Sequence, residues 1–383
     1  MNILFLTDGI SPFQIGGMQK HSFVLSKLLA QKGLQIHLFH CGGEGYTQEA
    51  FEALYGSAIS NIKESVIAFP SLGRIPGHYI RENKRYSQLI FEAIKDKIDT
   101  FDLVYAQGFT GWEFLRQKKK GVIDLPVLVN FHGFEMFQTA ANFKIKLSHN
   151  LLRNSVKYQI KNADFIYSFG GKISEILTQL GISKQKILLQ SNGIEKSWII
   201  DQAPAVKNPV RSFIFIGRNE RRKGVEELNK ALLLLLDQKD MPFQFVFIGP
   251  IPESIQIEDK RIIYKGEIRD AEAIRTFLKN SDCLLCPSHA EGMPTVILEA
   301  MACHNAVIAT DVGATSRMIN NNGFLLNSPQ PIEIMGAMKK IIEMDESDLL
   351  KMKDSSVNLV CEKFTWDSIA DQKIADFKKV LKE

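Results

Sequence analysis

The sequence alternates short apolar runs with longer amphipathic stretches, and this alternation occurs twice along the chain. Runs such as Ile3–Leu6 are apolar at every position, which is typical of strands buried on both faces of a parallel sheet. Stretches such as Met18–Gln31 carry apolar residues at helical spacing, and Gly33 follows this one as a helix stop. The repeated order of strand, helix and strand predicts an α/β protein with parallel sheets.

The first half of the sequence predicts seven strands and four helices. The predicted strands are Ile3–Leu6, Ile36–Phe39, Val66–Phe69, Asp102–Ala106, Val127–Phe131, Ala163–Ser168 and Ile187–Gln190. The predicted helices are Met18–Gln31, Ile80–Ile98, Asn142–Lys161 and Lys172–Leu180. Apart from its one strand, the segment 41–77 has an irregular pattern and predicts no further element.

The alternation restarts after residues 196–211, whose prolines and polar residues are typical of a linker. The predicted strands that follow are Ser212–Ile216, Phe245–Ile248, Arg261–Lys265, Asp282–Pro287 and Ala306–Thr310. The predicted helices are Val225–Leu236, Ala271–Lys279, one that begins at Pro294, and Trp366–Leu381. We therefore expect one domain in residues 1–196 and a second in residues 211–365.

Composition and cysteine usage favour a globular protein of the cytoplasm. Of the 383 residues, 45% are hydrophobic and 23% are charged, and no apolar run approaches the roughly 20 residues that span a bilayer. The first residues become acidic at Asp8 without a basic leader, so we interpret them as a strand and not as a signal peptide. Five cysteines without framework spacing indicate reduced thiols, and the pair Cys283 and Cys286 lies within a predicted buried strand, which disfavours zinc.

The net charge of +4 is unevenly distributed. Residues 1–196 carry a net charge of +7, and the remainder carries −3. A basic first half suggests an anionic partner, either a membrane or a nucleic acid. The predicted helix Asn142–Lys161 is itself basic, and either a solvated face or a membrane-facing or acceptor-facing surface explains it.

The segment from Ser288 to Ala302 contains the most informative motif. It follows a buried strand, passes through a short loop and enters a helix near Pro294, and a helix N-terminus at the end of a parallel strand is a common phosphate site. Glu291 lies in the loop, and Glu299 lies five residues past Pro294, about 7.5 Å along the helix axis. Two carboxylates on either side of this terminus could accept hydrogen bonds from hydroxyls. The arrangement therefore suits a sugar–diphosphate–ribose ligand.

Three other strand ends carry candidate groups. Gly16 and Gly17 precede the first helix, where they either bring backbone amides to an anion or form a tight turn, and the absence of G-x-G-x-x-G disfavours a dinucleotide. His132 follows the strand Val127–Phe131, at the edge of the sheet where α/β sites gather. Arg218 and Lys223 lie in the loop after the strand Ser212–Ile216.

Glu291 and Glu299, eight residues apart and followed by Ala-Met-Ala, resemble the E-x7-E segment of retaining GT-B glycosyltransferases of family 4. The resemblance covers nearly the whole chain and is most specific in residues 213–302. It implies two Rossmann-like domains that face each other across a cleft, with the last helix, in residues 366–383, crossing back to the first domain. The first domain would bind the acceptor and the second the nucleotide-sugar donor.

The resemblance also implies roles for individual residues. The implied catalytic residues are His132, Arg218, Lys223 and Glu291, with the histidine and the glutamate at the transferring sugar and the two cations at the donor diphosphate. Glu299 would bind the ribose, and the amides near Gly292, Met293, Thr295 and Val296 would face the diphosphate. The further donor-binding positions that we assign are Gly16, Gly17, Gly249, Glu267 and Ile268, the last two at the nucleobase pocket.

The function that follows from the resemblance is retaining transfer of a sugar from a nucleotide-diphosphate sugar to an acceptor hydroxyl. We expect the donor to be a UDP-sugar, with a GDP-sugar as the second choice. The expected acceptor is a glycan or a lipid-linked glycan, in bacterial cell-surface polysaccharide, lipopolysaccharide or glycolipid synthesis. We expect no metal, no cofactor and no nucleic-acid partner. The expected location is the cytoplasm, with peripheral attachment to the inner face of the cytoplasmic membrane as a further option. The alternatives are a nucleotide-sugar epimerase or sugar synthase on the same fold, and a non-catalytic nucleotide- or RNA-binding protein.

Overall fold

The computed structural model describes residues 1–73, 77–138, 143–200, 210–238 and 241–382. Most of the predicted linker, residues 201–209, lies outside these described residues. In the described part of the chain the strands form two sheets, and all neighbouring strands in both sheets are parallel. The predicted parallel α/β architecture is confirmed.

The first sheet has seven strands in the order β3-β2-β1-β4-β5-β6-β7. The strands are β1 (Asn2–Leu6), β2 (Gln35–His40), β3 (Ile62–Val66), β4 (Leu103–Gln107), β5 (Val127–Asn130), β6 (Phe165–Ser168) and β7 (Ile187–Leu189). The central strands β4 and β5 are buried at every position, including the amide residues Gln107 and Asn130 at their carboxyl ends.

The second sheet has six strands in the order β10-β9-β8-β11-β12-β13. The strands are β8 (Arg211–Ile216), β9 (Phe243–Ile248), β10 (Ile262–Tyr264), β11 (Cys283–Cys286), β12 (Ala306–Thr310) and β13 (Gly323–Leu326). In each sheet the strand order reverses once, between β1 and β4 and between β8 and β11. Ligands of open α/β sheets bind at the carboxyl ends of strands beside such a reversal.

Helices surround both sheets. They are α1 (Gly17–Gln31), α2 (Gln48–Tyr55), α3 (His78–Ile94), α4 (Trp112–Lys119), α5 (Phe143–Asn162), α6 (Lys172–Gln179), α7 (Val225–Leu236), α8 (Ala271–Lys279), α9 (Thr295–Ala302), α10 (Thr315–Met318), α11 (Pro331–Glu343), α12 (Glu346–Lys363) and α13 (Trp366–Val380). No described helix is both long enough and apolar enough to cross a membrane.

The segment 41–77 differs from its prediction. It contains the helix α2 and the strand β3 at Ile62–Val66, so the strand predicted at Val66–Phe69 was placed too late. β3 is an edge strand with only half-buried and exposed positions, and edge strands carry polar residues that hide the apolar signal. The elements α4, β13, α11 and α12 were also absent from the prediction.

Helix α13 crosses back to the first sheet, as expected from the resemblance. Phe377 and Val380 pack in the apolar cluster that covers one face of that sheet. Thr365 caps the helix and pairs with Ile194, so the chain enters α13 beside the segment that leaves β7. Another apolar cluster contains residues of both halves, including Phe134, Trp198 and Met293, and joins the two sheets into one structure.

Candidate active site

Glu291 lies at the centre of a chain of alternating charges at the carboxyl end of the second sheet. Its carboxylate is buried and accepts hydrogen bonds from Lys223 Nζ at 2.7 Å, from Ser288 Oγ at 2.8 Å and from Arg222 Nη1 at 3.2 Å. Glu220 continues the chain, because its two oxygens contact Arg222 Nε at 2.8 Å and Arg218 Nη2 at 2.7 Å. The three cations and two carboxylates together carry one net positive charge.

The cation beside Glu291 that the sequence did not predict is Arg222. Burial lowers the pKa of its guanidinium, but the carboxylates Glu291 and Glu220 outweigh burial and raise the pKa overall. Arg218, which was predicted for this position, is 73% exposed and forms an ion pair with Glu220. The structure therefore brings the predicted residues Lys223 and Glu291 together, and it leaves Arg218 at the rim of the same cluster.

Close packing positions the loop that carries Lys223. Gly224 has a φ of 73°, and a Cβ atom there would lie 1.9 Å from the carbonyl oxygen of Pro287. Only glycine lets the loop after β8 approach the end of β11 this closely. Lys223, directly before it, consequently reaches the loop after β11, 68 residues away in sequence.

Helix α9 begins at Thr295, with Pro294 as its N-cap rather than as the first helical residue that was predicted. The N-terminal amides of a helix have no partner within the helix and favour anions. Thr295 is exposed, Val296 and Glu299 are half-buried, and Gly292 and Met293 are buried. Burial raises the pKa of the Glu299 carboxyl, and the nearby Lys20 opposes this shift.

A cavity of about 540 Å³ lies between the start of α9 and the start of α1. The second half contributes Thr295 and Glu299 to its wall, and the first half contributes Gly16, Gly17 and His21. A Cβ atom at Gly17 would meet nothing within 4 Å, so this backbone is open to the cavity. The structure thus places two predicted groups, far apart in sequence, around one cavity.

His132 sits where the two halves touch. It has a φ of 57°, and its ring Nε2 lies 2.5 Å from Gln107 Oε1, at the end of the neighbouring strand β4. Burial, assisted by the positive charge of Lys373, lowers the pKa of His132 to about 3. The ring is therefore neutral at pH 7 and can serve as a hydrogen-bond partner.

The loop before α9 makes direct contact with the first half. A Cβ atom at Gly292 would lie 2.4 Å from the carbonyl oxygen of His132, so a side chain there would separate the two loops. Asn192 Nδ2 donates to the carbonyl oxygen of Met293 at 3.0 Å, and Gln138 Nε2 donates to that of Glu291 at 2.8 Å. These contacts bring His132 and the Glu291 loop together.

Three further predicted donor-binding positions, Gly249, Glu267 and Ile268, follow the strands β9 and β10. Gly249 has a structural reason to be glycine, because a Cβ atom there would lie 1.9 Å from the carbonyl oxygen of Gly217. Glu267 is exposed and forms an ion pair with Arg269. Ile268 packs against the apolar cluster that joins both sheets. The donor-binding role of Gly249 and the assignment of Glu267 and Ile268 to a nucleobase pocket remain predictions.

Several residues of the cleft were not found from the sequence. His21 is buried, with its ring centroid 4.6 Å from that of His132 and 5.4 Å from that of Trp366. Glu135 faces the same region, and burial raises its pKa, with Glu291 acting in the same direction and Arg222 opposing it. The sequence could have indicated Glu135, because this residue lies three positions after His132 at the end of a predicted strand. His21 lies inside a predicted helix, and its sequence context did not indicate a place in the cleft.

In the described part of the chain no group of three or more His, Cys, Asp or Glu side chains is arranged to hold a metal ion. Cys283 and Cys286, which form the C-x2-C pair, are buried in β11, and burial raises the pKa of both thiols. Their environment is that of core cysteines.

Two Rossmann-like parallel sheets with a cavity between their carboxyl ends define the GT-B fold. The profile described as "Glycosyltransferase Family 4" matches residues 15–198, and the profile described as "Glycosyl transferases group 1" matches residues 210–344. The chain belongs to this family, the group 1 or family 4 glycosyltransferases. Membership makes the protein an enzyme that transfers sugars.

Relatives and solved structures agree with this membership. A Bacillus subtilis glycosyltransferase named for teichuronic acid biosynthesis is 34% identical over 125 residues, which cover 33% of this chain and 31% of that one. The N,N'-diacetylbacillosaminyl-diphospho-undecaprenol alpha-1,3-N-acetylgalactosaminyltransferase of Campylobacter jejuni is 28% identical over 191 residues, 47% of this chain and 48% of that protein. These alignments span less than half of each protein.

Two solved structures share the fold across the whole chain. Sucrose-phosphate synthase from Thermosynechococcus elongatus superposes with a TM-score of 0.75 at 18% identity, covering 100% of this chain and 99% of that one. HepE from Anabaena in complex with UDP-glucose superposes with a TM-score of 0.65 at 16% identity, covering 99% and 100%. At these identities the likeness establishes the fold.

Proposed function

We propose that the protein is a retaining, metal-independent hexosyltransferase that moves a sugar from a nucleotide-diphosphate sugar to an acceptor hydroxyl. The observation that carries the proposal is the arrangement around the start of α9. Glu299, Thr295, Gly16 and Gly17 line one cavity, and Glu291, in the loop before α9, pairs with Lys223 of the loop after β8. A diphosphate at this N-terminus would have ribose hydroxyls on the Glu299 side and the sugar on the Glu291 side.

The proposed chemistry is electrostatic. As the bond between the anomeric carbon and the diphosphate oxygen breaks, negative charge grows on the leaving diphosphate. Lys223, Arg218 and the amides of α9 would stabilise this charge in a preorganised site, an effect worth about 10²–10³ in rate for one donor. The acceptor oxygen bonds to the same face of the anomeric carbon, and its proton passes to the departing phosphate. Configuration is thereby retained.

His132 would act as a neutral partner of the transferring sugar. A pKa of about 3 means that the ring carries no charge at pH 7. It would therefore orient a hydroxyl of the sugar by hydrogen bonding. Its contact with Gly292 places it beside the loop of Glu291, the second residue proposed to bind the sugar.

We propose a UDP-sugar as the donor, with a GDP-sugar as the second choice, and a glycan or lipid-linked glycan as the acceptor. The UDP-glucose complex of HepE supports the donor class, and the diphospho-undecaprenol substrate in the name of the C. jejuni relative supports the acceptor class. The proposed setting is bacterial cell-surface polysaccharide, lipopolysaccharide or glycolipid synthesis. Residues 1–196 would bind the acceptor, residues 211–365 the donor, and residues 366–383 would cross back. The proposed location is the cytoplasm, at or near the inner face of the cytoplasmic membrane.

The first test is thermal unfolding with UDP-, GDP- and ADP-sugars. A donor present at 100 times its dissociation constant should stabilise the protein by about 2.7 kcal/mol, and Glu299→Ala should remove most of that shift. Transfer is then followed with the stabilising donor and polyprenyl-diphosphate glycans. NMR of the product should show the anomeric configuration of the donor, and EDTA should leave the rate unchanged. An inverted product or an EDTA-sensitive rate would contradict the mechanism, and stabilisation by no nucleotide-sugar would contradict the function.

A further inference from the structure

A second cavity lies where the last helix meets both halves of the protein. Its volume is about 410 Å³, which is within the range of small-molecule sites, and it shares no lining residue with the cavity between α9 and α1. The first half contributes residues 189–191, at the end of β7, and the second half contributes Arg317 of α10. The end of α12 and the first turns of α13 complete the wall. None of the roles proposed above uses this cavity.

Arg317 is a half-buried cation on the wall of this cavity. Its Nη1 donates to the backbone carbonyl oxygens of Phe169 and Gln190, so the guanidinium connects α10 to the first half. Its Nε and Nη2 donate to no described residue. A guanidinium has five N–H donors, and three of them are therefore left for a ligand. Burial lowers the pKa of Arg317, and no described carboxylate opposes this shift.

Lys373 of α13 is a second cation that lines the cavity. It is 1% exposed, and its Nζ lies 3.0 Å from Gln190 Oε1 and 3.0 Å from the ring centroid of Tyr167. Burial lowers its pKa, while the nearby Asp376 opposes the shift. Within the described part of the chain, neither Lys373 nor Arg317 forms a direct ion pair. Buried cations without a directly paired anion are costly, so an anion in the cavity would stabilise both.

Two acidic residues also line the cavity, and they affect it differently. Glu362 and its neighbour Lys363 form an ion pair at 3.7 Å and are both exposed, so they largely compensate each other. Asp376 is buried, and Gln372 Nε2 donates to its Oδ1 at 2.9 Å, but its Oδ2 has no hydrogen-bond partner among the described residues. The lining as a whole contains three cations and two carboxylates, which gives a net charge of +1.

We propose that this cavity binds a small, hydroxylated phosphate monoester, with the phosphate on Arg317 and Lys373 and a hydroxyl donating to Asp376. A phosphate monoester carries a charge of about −1.5 to −2 near pH 7, which can compensate both cations. The Nε and Nη2 groups of an arginine form a fork that matches two phosphate oxygens. A ligand hydroxyl would supply the hydrogen bond that the buried Asp376 carboxyl lacks. This binding site does not depend on the proposed sugar transfer.

A ligand in this cavity would also hold the two halves in their present arrangement. Arg317 would contact the phosphate through Nε and Nη2 while its Nη1 stays on Gln190 of the first half. The cavity between α9 and α1 is likewise lined by both halves. Because one arrangement of the halves forms both cavities, ligands of the two cavities should strengthen each other's binding reciprocally. This coupling rests on the proposed function, since it takes the other cavity as the donor site.

The direct test is isothermal titration calorimetry of the full protein with ribose 5-phosphate, inorganic phosphate and ribose, in the presence of saturating UDP. The UDP occupies the proposed donor site, so the titration reports on a different one. Ribose 5-phosphate should bind, and inorganic phosphate should bind roughly tenfold more weakly because it lacks the hydroxyl that donates to a charged group. Ribose alone should not bind. Absence of ribose 5-phosphate binding, or equally strong binding of inorganic phosphate, would overturn the proposal.

A variant of Arg317 tests whether the ligand binds in this cavity. Arg317→Gln keeps a side-chain amide that can donate to the carbonyl oxygen of Gln190 but removes the charge, so ribose 5-phosphate should bind roughly tenfold more weakly. The control Arg85→Gln removes an exposed arginine of α3 and should bind ribose 5-phosphate as the wild type does. Unchanged binding in Arg317→Gln would overturn the proposal.

A second pair of variants keeps the test decisive if Arg317→Gln does not fold. Ser368 lines the cavity three residues after Thr365, the N-cap of α13. Glutamate and glutamine are both favoured at this position of a helix, so neither should disturb α13. Ser368→Glu adds a negative charge to the wall and should abolish binding of ribose 5-phosphate, whereas Ser368→Gln should retain it. Equal binding by these two variants would overturn the proposal.

The coupling between the two cavities has its own readout. Saturating ribose 5-phosphate should lower the Kd of UDP about fivefold in the wild type and should leave it unchanged in Ser368→Glu. A raised Kd would mean that ribose 5-phosphate competes for the donor cavity and would overturn the assignment of the site, and an unchanged Kd in the wild type would overturn the coupling. If UDP itself does not bind, the proposed function is contradicted, and titration of ribose 5-phosphate without UDP decides the site by itself.

Discussion

At the scale of single residues, Glu291 explains how the two cations Lys223 and Arg222 can share one small site. Lys223 and Arg222 would repel each other in its absence, and the buried carboxylate contacts both. Removing one partner from a buried, charged hydrogen-bond network leaves the other unpaired and is costly. Substitutions here should therefore change stability as well as turnover.

Lys223→Ala should lower kcat by roughly 10²–10³, since it removes a preorganised donor to the leaving diphosphate. Arg218→Ala should also lower kcat, although this side chain must first leave Glu220 to reach the ligand. Of these two variants, Lys223→Ala should reduce the free energy of unfolding measurably, because Lys223 contacts the buried Glu291 whereas Arg218 pairs with Glu220. Steady-state kinetics and urea unfolding check both statements, with the exposed Lys230→Ala as the control. Wild-type turnover in both variants would exclude these cations from the mechanism.

The two glutamates should affect different kinetic constants. Glu299→Ala should mainly raise KM for the donor, because contacts to the ribose are alike in the ground state and the transition state. Glu291→Ala should mainly lower kcat, because Glu291 is proposed to bind the sugar and its carboxylate accepts a hydrogen bond from Lys223. Initial rates over a range of donor concentrations separate the two effects. A Glu299→Ala enzyme with unchanged KM and no turnover would reverse our assignment of the pair.

At the scale of elements, helix α5 shows that a basic helix in sequence need not be a basic surface in the fold. Arg153 Nε donates to the carbonyl oxygen of Met136 at 2.7 Å, and Arg153 and Lys157 both lie near the ring of Phe137. Among the predicted surface charges, Lys146 and Lys161 are exposed, and the side chain of Lys144 lies outside the described residues. The exposed face also carries Leu147 and Leu151.

This exposed apolar and basic face predicts reversible attachment to anionic membranes. The protein should sediment with vesicles that contain anionic lipid and should be released near 0.5 M salt, since each Lys contributes only about 1 kcal/mol. Leu147→Glu combined with Leu151→Glu should abolish sedimentation while leaving donor binding unchanged. The matched control, Leu233→Glu with Leu234→Glu, changes two exposed leucines of α7 and should still sediment. A wild type that stays in the supernatant with every vesicle would favour a soluble acceptor.

At the scale of the whole molecule, the two halves meet through backbone atoms at Gly292. Gly292→Ala would place Cβ 2.4 Å from the carbonyl oxygen of His132, so the loops must separate. We expect turnover to fall at least tenfold with each half still folded, because in the proposed mechanism the sugar is positioned by residues of both loops. Gly336→Ala is the control, since a Cβ there meets nothing within 4 Å and alanine stabilises a helix by about 0.5–1 kcal/mol. Normal kcat in Gly292→Ala would show that this contact is not needed.

Buried histidines predict a loss of stability in mild acid. Burial, then the charges of Lys63 and Lys97, lower the pKa of His37 to about 4, below its unfolded value near 6.5. The unfolded chain therefore takes up this proton first, so the stabilisation is complete above about pH 6.5 and is lost as the pH falls towards 4, at about 1.4 kcal/mol per unit. Urea unfolding at pH 7 and pH 5 should show a smaller loss for His37→Gln than for the wild type. Equal losses would mean that the ring is protonated in the folded protein.

The sequence by itself determined the positions of the elements that have strong local periodicity. It also determined the Glu291–Glu299 motif, which connects strand β11 to helix α9. Helices α7 and α8 have the predicted bounds, and strand β12 does as well. The Glu291–Glu299 segment was recognisable because its strand, loop and helix are consecutive in the chain. Local apolar spacing and turn residues decide such features, since their interactions lie within a few residues of one another.

Only the tertiary structure decided which distant side chains share a site. The sequence placed Arg218 and Lys223 in the same loop, but Arg222 is the arginine that contacts Glu291, 69 residues further along. Lys373 reaches Gln190 across 183 residues, because α13 returns to the first sheet. Such pairs depend on strand order and on the paths of loops. Hydrophobic periodicity carries no information about either, so these contacts could be found only once the two sheets and the crossing helix were assembled.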